Sequence, residues 1–524
     1  MTMPTEAATI GSMLLAAANR YGDRPALIVY DEGCSFRALA EGAQAIAGLL
    51  QASGLRPGDH LAVWLPNGRE FVELVFGASL AGVVVVPLNT RLKRTDAVYA
   101  LKTSKTRALF FSESFLGIDF YALVGEMLDS DEMPDLDLVV NLGGRSDNRI
   151  ASFAGWRDGL DPVRTLPPVD PQAIAFISFT SGTTSRPKGA MIAHHTLLHI
   201  AREVGARMGI GEGDRVASAM PFYHNGGFVP TLLSGLMGGA VLYTQPRFDP
   251  DYVLEVIARE KCTVVSGAGT MFTMMLDSPA MTAADLSSVR AVRITGPADM
   301  RRAVQRRFGD PMIFSLYGMS ETTAAVTVTC PGDTIDEQLN TNGKALPGVS
   351  IRIAAADGSE VPVGTQGEIW IGGRECLMKG YFGDTTATAA VLCGGWMRSG
   401  DIGYIDEQGN LVLVGRMKDM YRTGGENVAC AEVEEFLREH HAVLHAVIMG
   451  VPDPRMDEVG FAFIQLRPGM TTTAEELQQF CKDHLANFKV PRYVHFVESL
   501  PITITGRVEK HKLRDRAVAL AVEG

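Results

Sequence analysis

KCTVVSG at 261–267, VRAVRITG at 289–296 and PMIFSLYG at 311–318 each carry a β-branched or aromatic run into a glycine, with helix-period residues between them. Strand, glycine turn and helix repeated in that order predict parallel strands covered by helices. Ligands of such sheets bind beyond the carboxyl ends of the strands, where these glycine turns lie. The alternation extends toward the N-terminus. Residues 35–53 have helical spacing, Leu61 to Pro66 reads as a short buried strand, 69–81 is helical again, and Val83 to Pro87 is a further strand. The uncharged run from Asn225 to Pro246 is 22 residues long but holds five Gly and two Pro. It is read as a loop, a buried helix and a strand, not as a membrane span.

After about residue 350 the texture changes. VSIRIAAADG, GEIWIGG and GYIDEQGNLVLVGR are short alternating strands with DG, GG and QGN turns, an antiparallel ribbon. A helix and a strand follow in VACAEVEEFLREHHAVLHAVIMGVPD, and a second helix starts at Glu475. The fold class is therefore α/β. A large N-terminal domain over residues 1–417 has parallel-rich sheets flanked by helices plus a small antiparallel part. A small α+β domain covers 418–524.

The 524 residues are 46% hydrophobic and 21% charged, as in ordinary globular proteins. Lys plus Arg number 48 and Asp plus Glu 60, a net charge of −12. That balance lacks the broad basic surface of non-specific nucleic-acid binding. Seven Cys with no CxxC spacing fit a reducing compartment. With Glu6 and no basic residue before Arg20, the N-terminus does not read as a secretory signal. The expected setting is cytoplasmic.

Directly after the apolar run AIAFISF comes TSGTTSRPKG, Thr180 to Gly189, with five hydroxyl residues, two Gly and one Lys. Backbone N–H groups, hydroxyls and an ammonium can together hold phosphate oxygens. The pattern GxxxxGK[ST] is not met around Lys188, so this is not a Walker A loop. The histidine groups 194, 195, 199 and 440, 441, 445 have spacings that suit a metal, but no HExxH or neighbouring Cys or Asp completes them. They are read as helix faces.

TSGTTSRPKG resembles the phosphate loop of the adenylate-forming superfamily, which includes acyl-CoA synthetases and ligases of the 4-coumarate and fatty-acid type. Further matches follow in the family's order: YGMSE at 317–321, SGD at 399–401, GRMKDMYRTGGENV at 415–428, LANFKVPR ending at Arg492 and LPITITGR ending at Arg507. The resemblance implies that a carboxylate attacks the α-phosphorus of ATP, that pyrophosphate leaves, and that CoA then takes the acyl group from the acyl-adenylate (acyl-AMP). Charge must be neutralised around the reacting phosphorus, which explains the residue types. On this resemblance Thr180, Ser181, Gly182, Thr183, Thr184 and Lys188 hold phosphates, Glu321 binds Mg²⁺ and Ser320 touches the α-phosphate. Tyr317 packs on adenine beside Gly318 and Gly296, while Asp401 and Arg416 fix the ribose.

The same resemblance makes the small domain mobile, places its pivot at Lys418 and lines a thiol channel with Gly424 and Gly425, where a missing Cβ admits the pantetheine arm. PFYHNGG at 221–227 puts His224 at the mouth of the acyl pocket. Asn225, Gly226, Gly227, Gly267 and Gly269 line that pocket, and their small size favours a bulky or ring-containing acid over acetate. Three departures stand out. Ser185 replaces a usual Gly, TGPAD at 295–299 is an altered adenine segment, and Arg507 stands where the family has its last catalytic Lys. The planar guanidinium is not equivalent to an ammonium. The expectation is weakened or absent adenylation with CoA transfer retained, and dependence on a separate adenylating enzyme. Three alternatives stand beside it: a fully ATP-competent synthetase, in which Arg507 or Lys510 serves; an enzyme loading a carrier protein; and a silent nucleotide- or acyl-CoA-binding relative.

Overall fold

Strands Val264–Ala268, Ala291–Thr295 and Met312–Tyr317 lie parallel and adjacent in a nine-stranded sheet. Their register sets Ser266 opposite Arg293 and Arg293 opposite Phe314. Helices Gly269–Asp277 and Ala298–Arg307 form the connections, and Val265, Val292, Ile294 and Ile313 join Phe272, Val304 and Phe308 in one buried cluster. A computed structural model describes residues 8–130, 135–163, 165–180, 187–423, 426–453, 455–485, 487–501 and 508–523.

A second, seven-stranded sheet runs parallel through Val84–Pro87, His60–Trp64, Ala108–Phe111 and Leu138–Asn141. Its edge is an antiparallel pair, Ile174–Thr180 with Lys188–Ala193. Helix Phe36–Ala52 begins where Ser35 accepts from the Ala38 N–H, and it buries Phe36, Leu39, Ala43, Ile46 and Leu50 at helical spacing. Losing such a cap costs about 1 kcal/mol. The uncharged run after His224 becomes Asn225–Gly227, a π-helical turn over Phe228–Leu233 and helix Ser234–Gly238, then strand Val241–Thr244. Pro230, which has no N–H to donate, lies inside the π turn.

The chain forms two compact units, Met1–Ile351 with Ile371–Met397, and Arg352–Trp370 with Arg398–Gly524. Within the second, residues 401–405 pair antiparallel with Leu411–Arg416, and a 3₁₀ turn Met417–Asp419 leads on. A hairpin of Val443–Asp453 and Asp457–Leu466 carries helices Cys430–Arg438 and Ala474–Lys482 over one core, while Leu513 and Ala517 of Lys510–Glu523 join another.

The histidine expectation holds only for the first group, on helix His194–Arg207. The helix near His440 stops at Arg438, so His440 and His441 occupy the following turn and His445 lies on a strand. Among the described residues no three His, Cys, Asp or Glu gather as metal ligands. None of the described helices is long and apolar enough to cross a membrane.

Candidate active site

Thr180 and Lys188 are paired across the antiparallel edge, so the strands bracket the phosphate-loop segment at its base. Ser181, Gly182, Thr183, Thr184 and Ser185 lie outside the described residues. The Lys188 ammonium lies 5.3 Å from the centroid of the Tyr381 ring. Tyr381 Oη donates to Glu321 Oε1 at 2.9 Å. One buried phenol thus ties a cation and an anion that are 133 residues apart in the chain (321 − 188). Burial, reinforced by the Glu321 carboxylate, pushes the phenol's pKa up and keeps it a donor.

Glu321 sits in a 3₁₀ turn, Ser320–Thr322. The next two residues, Thr323 at φ 62° and Ala324 at φ 84°, are both left-handed without being glycine. For a β-branched residue this is a strained conformation, and such strain concentrates at functional loops. Met378 N–H donates to Glu321 O and Thr323 Oγ1 to Cys376 O, at 2.8 and 3.1 Å, which holds the turn in place. A Cβ on Gly318 would stand 2.5 Å from Ala324 O, so the turn closes only with glycine there.

Asn225, 3% exposed, joins three of the motif segments. Ser178 Oγ donates to its Oδ1 at 3.0 Å, and its Nδ2 donates to Ser320 O at 3.4 Å. The strand leading to the phosphate loop, the PFYHNGG segment and the YGMSE turn therefore meet at one side-chain amide. His224 is exposed, and its Nδ1 accepts from Gly226 N–H at 3.0 Å, which places the remaining proton of a neutral ring on Nε2. A Cβ on Gly227 would come within 2.2 Å of Pro221 O, one on Gly269 within 2.9 Å of Thr295 O, and one on Gly267 within 3.1 Å of Phe272. The small size of these positions is taken up by close packing.

Tyr317 is 5% exposed at the end of its strand, whereas Gly296 lies exposed beyond the neighbouring strand. In the second unit Asp401, 4% exposed, is opposite Arg416 in register, with Arg416 Nε 3.2 Å from Asp401 Oδ1. Lys510 Nζ is bound to Glu434 at 2.8 Å. Burial alone would lower its pKa, but Glu434 together with Cys430 and Asp419 outweighs that and raises it. Gly424, Gly425 and Arg507 lie outside the described residues, and Lys418 is placed only as part of its 3₁₀ turn.

Two residues escaped the reading of the sequence. Tyr381 lies beyond the quoted motifs. Arg293, 1% exposed, sends Nε to Ser266 Oγ at 2.7 Å and Nη2 to Thr231 Oγ1 and Gly226 O at 3.1 and 3.2 Å. Its one signal was a lone charge inside the apolar strand AVRIT.

Comparison with known proteins settles the family. Residues 14–382 match the AMP-binding enzymes, and 432–507 match the AMP-binding enzyme C-terminal domain. The chain is an AMP-binding enzyme. A 7a-methyl-1,5-dioxo-octahydro-1H-inden-4-yl propanoyl:CoA ligase of Rhodococcus jostii is 35% identical to this AMP-binding enzyme, over 98% of this chain and 99% of that one. The mitochondrial medium-chain acyl-CoA ligase of Mus musculus is 33% identical, over 97% and 87%. An anthranilate CoA ligase solved with anthranoyl-AMP superposes with a TM-score of 0.89 at 25% identity, covering 98% of each chain. This AMP-binding enzyme belongs with the acid–thiol ligases, the acyl-CoA synthetases that work through an acyl-adenylate and use ATP and CoA.

Proposed function

We propose that the protein converts a bulky or ring-containing carboxylic acid to its acyl-CoA, with adenylation from ATP slowed by Arg507 and transfer to CoA intact. The observation that carries the site assignment is the meeting of Ser178, Asn225 and Ser320, with Lys188 and Glu321 both tied to Tyr381. In this reading Lys188, with Thr180, Ser181, Gly182, Thr183 and Thr184, holds phosphate oxygens, and Ser320 touches the α-phosphate. Tyr317, Gly318 and Gly296 take the adenine, and Asp401 with Arg416 takes the ribose. His224 stands at the reacting carboxylate.

Glu321 suits Mg²⁺. Its Oε1 is held by Tyr381, and Oε2 has no hydrogen bond among the described residues. A single carboxylate supplemented by phosphates and water is how Mg²⁺ is commonly held. The ion would neutralise charge on the phosphates. Rotation at Lys418 would then present Gly424 and Gly425 to the thiol arm. The ring-bearing substrate named for the 35%-identical relative supports the acid class. Seven free cysteines support a cytoplasmic setting.

Slow adenylation rests on the shape of Arg507, a wide fork where a compact ammonium is usual. Lys510 is engaged with Glu434 inside its own unit, which argues against its acting as the substitute. The test compares acid-dependent pyrophosphate release by the parent and Arg507→Lys, alongside CoA transfer from synthetic acyl-adenylate. Arg507→Lys should raise pyrophosphate release about 10²–10³-fold, the worth of one preorganised stabiliser, and leave transfer unchanged. Rapid release by the parent would overturn slow adenylation. Absence of thioester from any acyl-adenylate would overturn the synthetase reading.

A further inference from the structure

Arg293 lies in the middle of strand Ala291–Thr295 and is among the largest fully buried side chains of the protein. A buried guanidinium normally meets a carboxylate, because an uncompensated charge away from water is costly. Among the described residues every partner is neutral: Ser266 Oγ, Thr231 Oγ1 and Gly226 O. Burial alone perturbs its pKa, lowering it to about 10, so the group is a cation at pH 7. Of its five N–H bonds, Nε spends one and Nη2 both of its own. The two on Nη1 find no acceptor among the described residues, yet Nη1 is not among the wholly enclosed unpaired atoms.

The neutral contacts fix where this free edge sits. Gly226 is two residues from His224, and Ser266 immediately precedes Gly267, so Arg293 links the two segments assigned to the acyl pocket. Thr231 is supplied by the π turn, and its hydroxyl also lies 3.0 Å from Ser266 Oγ. A guanidinium with Nε and Nη2 already engaged cannot grip a carboxylate with two parallel bonds. It can donate from Nη1 to one oxygen, and its charge strengthens that bond.

We propose that Arg293 is a specificity residue that binds a second oxygen on the acid, a distal carboxylate or ketone, through Nη1. This rests on the synthetase reading and narrows its substrate to oxygenated acids. Water would satisfy Nη1 when the pocket is empty, and an acid without the second oxygen would displace that water and leave the donor unpaired.

The test uses matched acids across a range of chain lengths: the plain alkanoate, the ω-keto acid and the ω-dicarboxylate. The parent should favour an oxygenated member by about ten- to a hundredfold in kcat/KM at its best length, the worth of one hydrogen bond to a charged donor. Comparing ketone with carboxylate shows which oxygen is preferred. Arg293→Met should erase the preference by slowing the oxygenated acid alone, and Arg293→Lys should restore part of it. Equal losses for all acids in Arg293→Met would assign the residue a structural role and overturn the proposal, as would indifference of the parent. Calorimetric binding of paired acyl-sulfamoyladenosines, with and without the distal oxygen, separates this inference from the activity. Tighter binding of the oxygenated analogue to the parent supports it even if no acid is turned over, and equal binding sinks it even if the variants fail to fold.

Discussion

Half-buried Lys188 and Glu321 are both tied to Tyr381, whereas Arg293 is 1% exposed and meets only neutral oxygens among the described residues. Opposite charges beside each other serve a ligand whose charge never varies, such as a nucleotide phosphate with its ion. A lone cation among hydroxyls serves a group that differs from one acid to the next. With the proposed function, the contrast assigns generic chemistry to Tyr381 and selectivity to Arg293.

Changes at Glu321 should therefore damage all acids alike. Glu321→Gln is expected to slow pyrophosphate release about 10²–10³-fold, with the ranking of acids unchanged. A shift in ranking would merge the two sites into one device. Acidification should weaken both together, because helix His194–Arg207 follows the Lys188 strand and packs against the turn bearing Thr231. Burial pushes the His194 pKa down from 6.5 to about 4. Between those values the unfolded chain binds a proton that the folded protein does not, so stability present above pH 6.5 is lost as pH falls toward 4. The loss should approach about 3 kcal/mol. Thermal melts of His194→Gln should show a flatter acid limb, and an unchanged limb would remove His194 from this account.

Smaller changes divide the two sites more finely. Ser266→Ala removes the acceptor of Arg293 Nε and should cost about 1–3 kcal/mol, read as a lower urea midpoint. It should also blunt the preference for oxygenated acids while sparing plain ones. Tyr381→Phe deletes a single donor to Glu321. It is expected to slow adenylation about fivefold, near 1 kcal/mol, for every acid tested.

The same contrast explains what could be read from the sequence. Strands at 264–268, 291–295 and 312–317 were legible because β-branched runs end at glycines, and helix 36–52 because of its apolar spacing. Lys188, Glu321, Asp401 and Arg416 stood out because each falls in a motif that resembles the family's. Arg293 was not, since one charge in a strand does not announce its neighbours, which come from 226, 231 and 266. The glycines near His224 were read as free volume, but Gly227 and Gly269 have backbone oxygens where a Cβ would go. His440 and His441 were misplaced because helical spacing continues past Arg438 while the hydrogen bonds of Glu439 and His440 tighten to the i→i−3 pattern of a turn.

The division of the chain bears on how the enzyme is made. The first unit leaves off at Ile351 and resumes at Ile371, and only the second stretch brings Tyr381 to Glu321 and Cys376 to Thr323. On a ribosome adding about 5–20 residues per second, the strained turn at Thr323 and Ala324 waits several seconds for the segment that pins it. Until then Glu321 lacks its phenol partner, and the nascent chain carries a nearly whole first unit whose Thr323 turn is still unclasped. Ribosome-arrested chains ending past residue 351 should therefore be cut by protease near this turn, and chains long enough to expose residue 397 outside the tunnel should resist. Equal cutting of both would show that the turn sets without its late clasp.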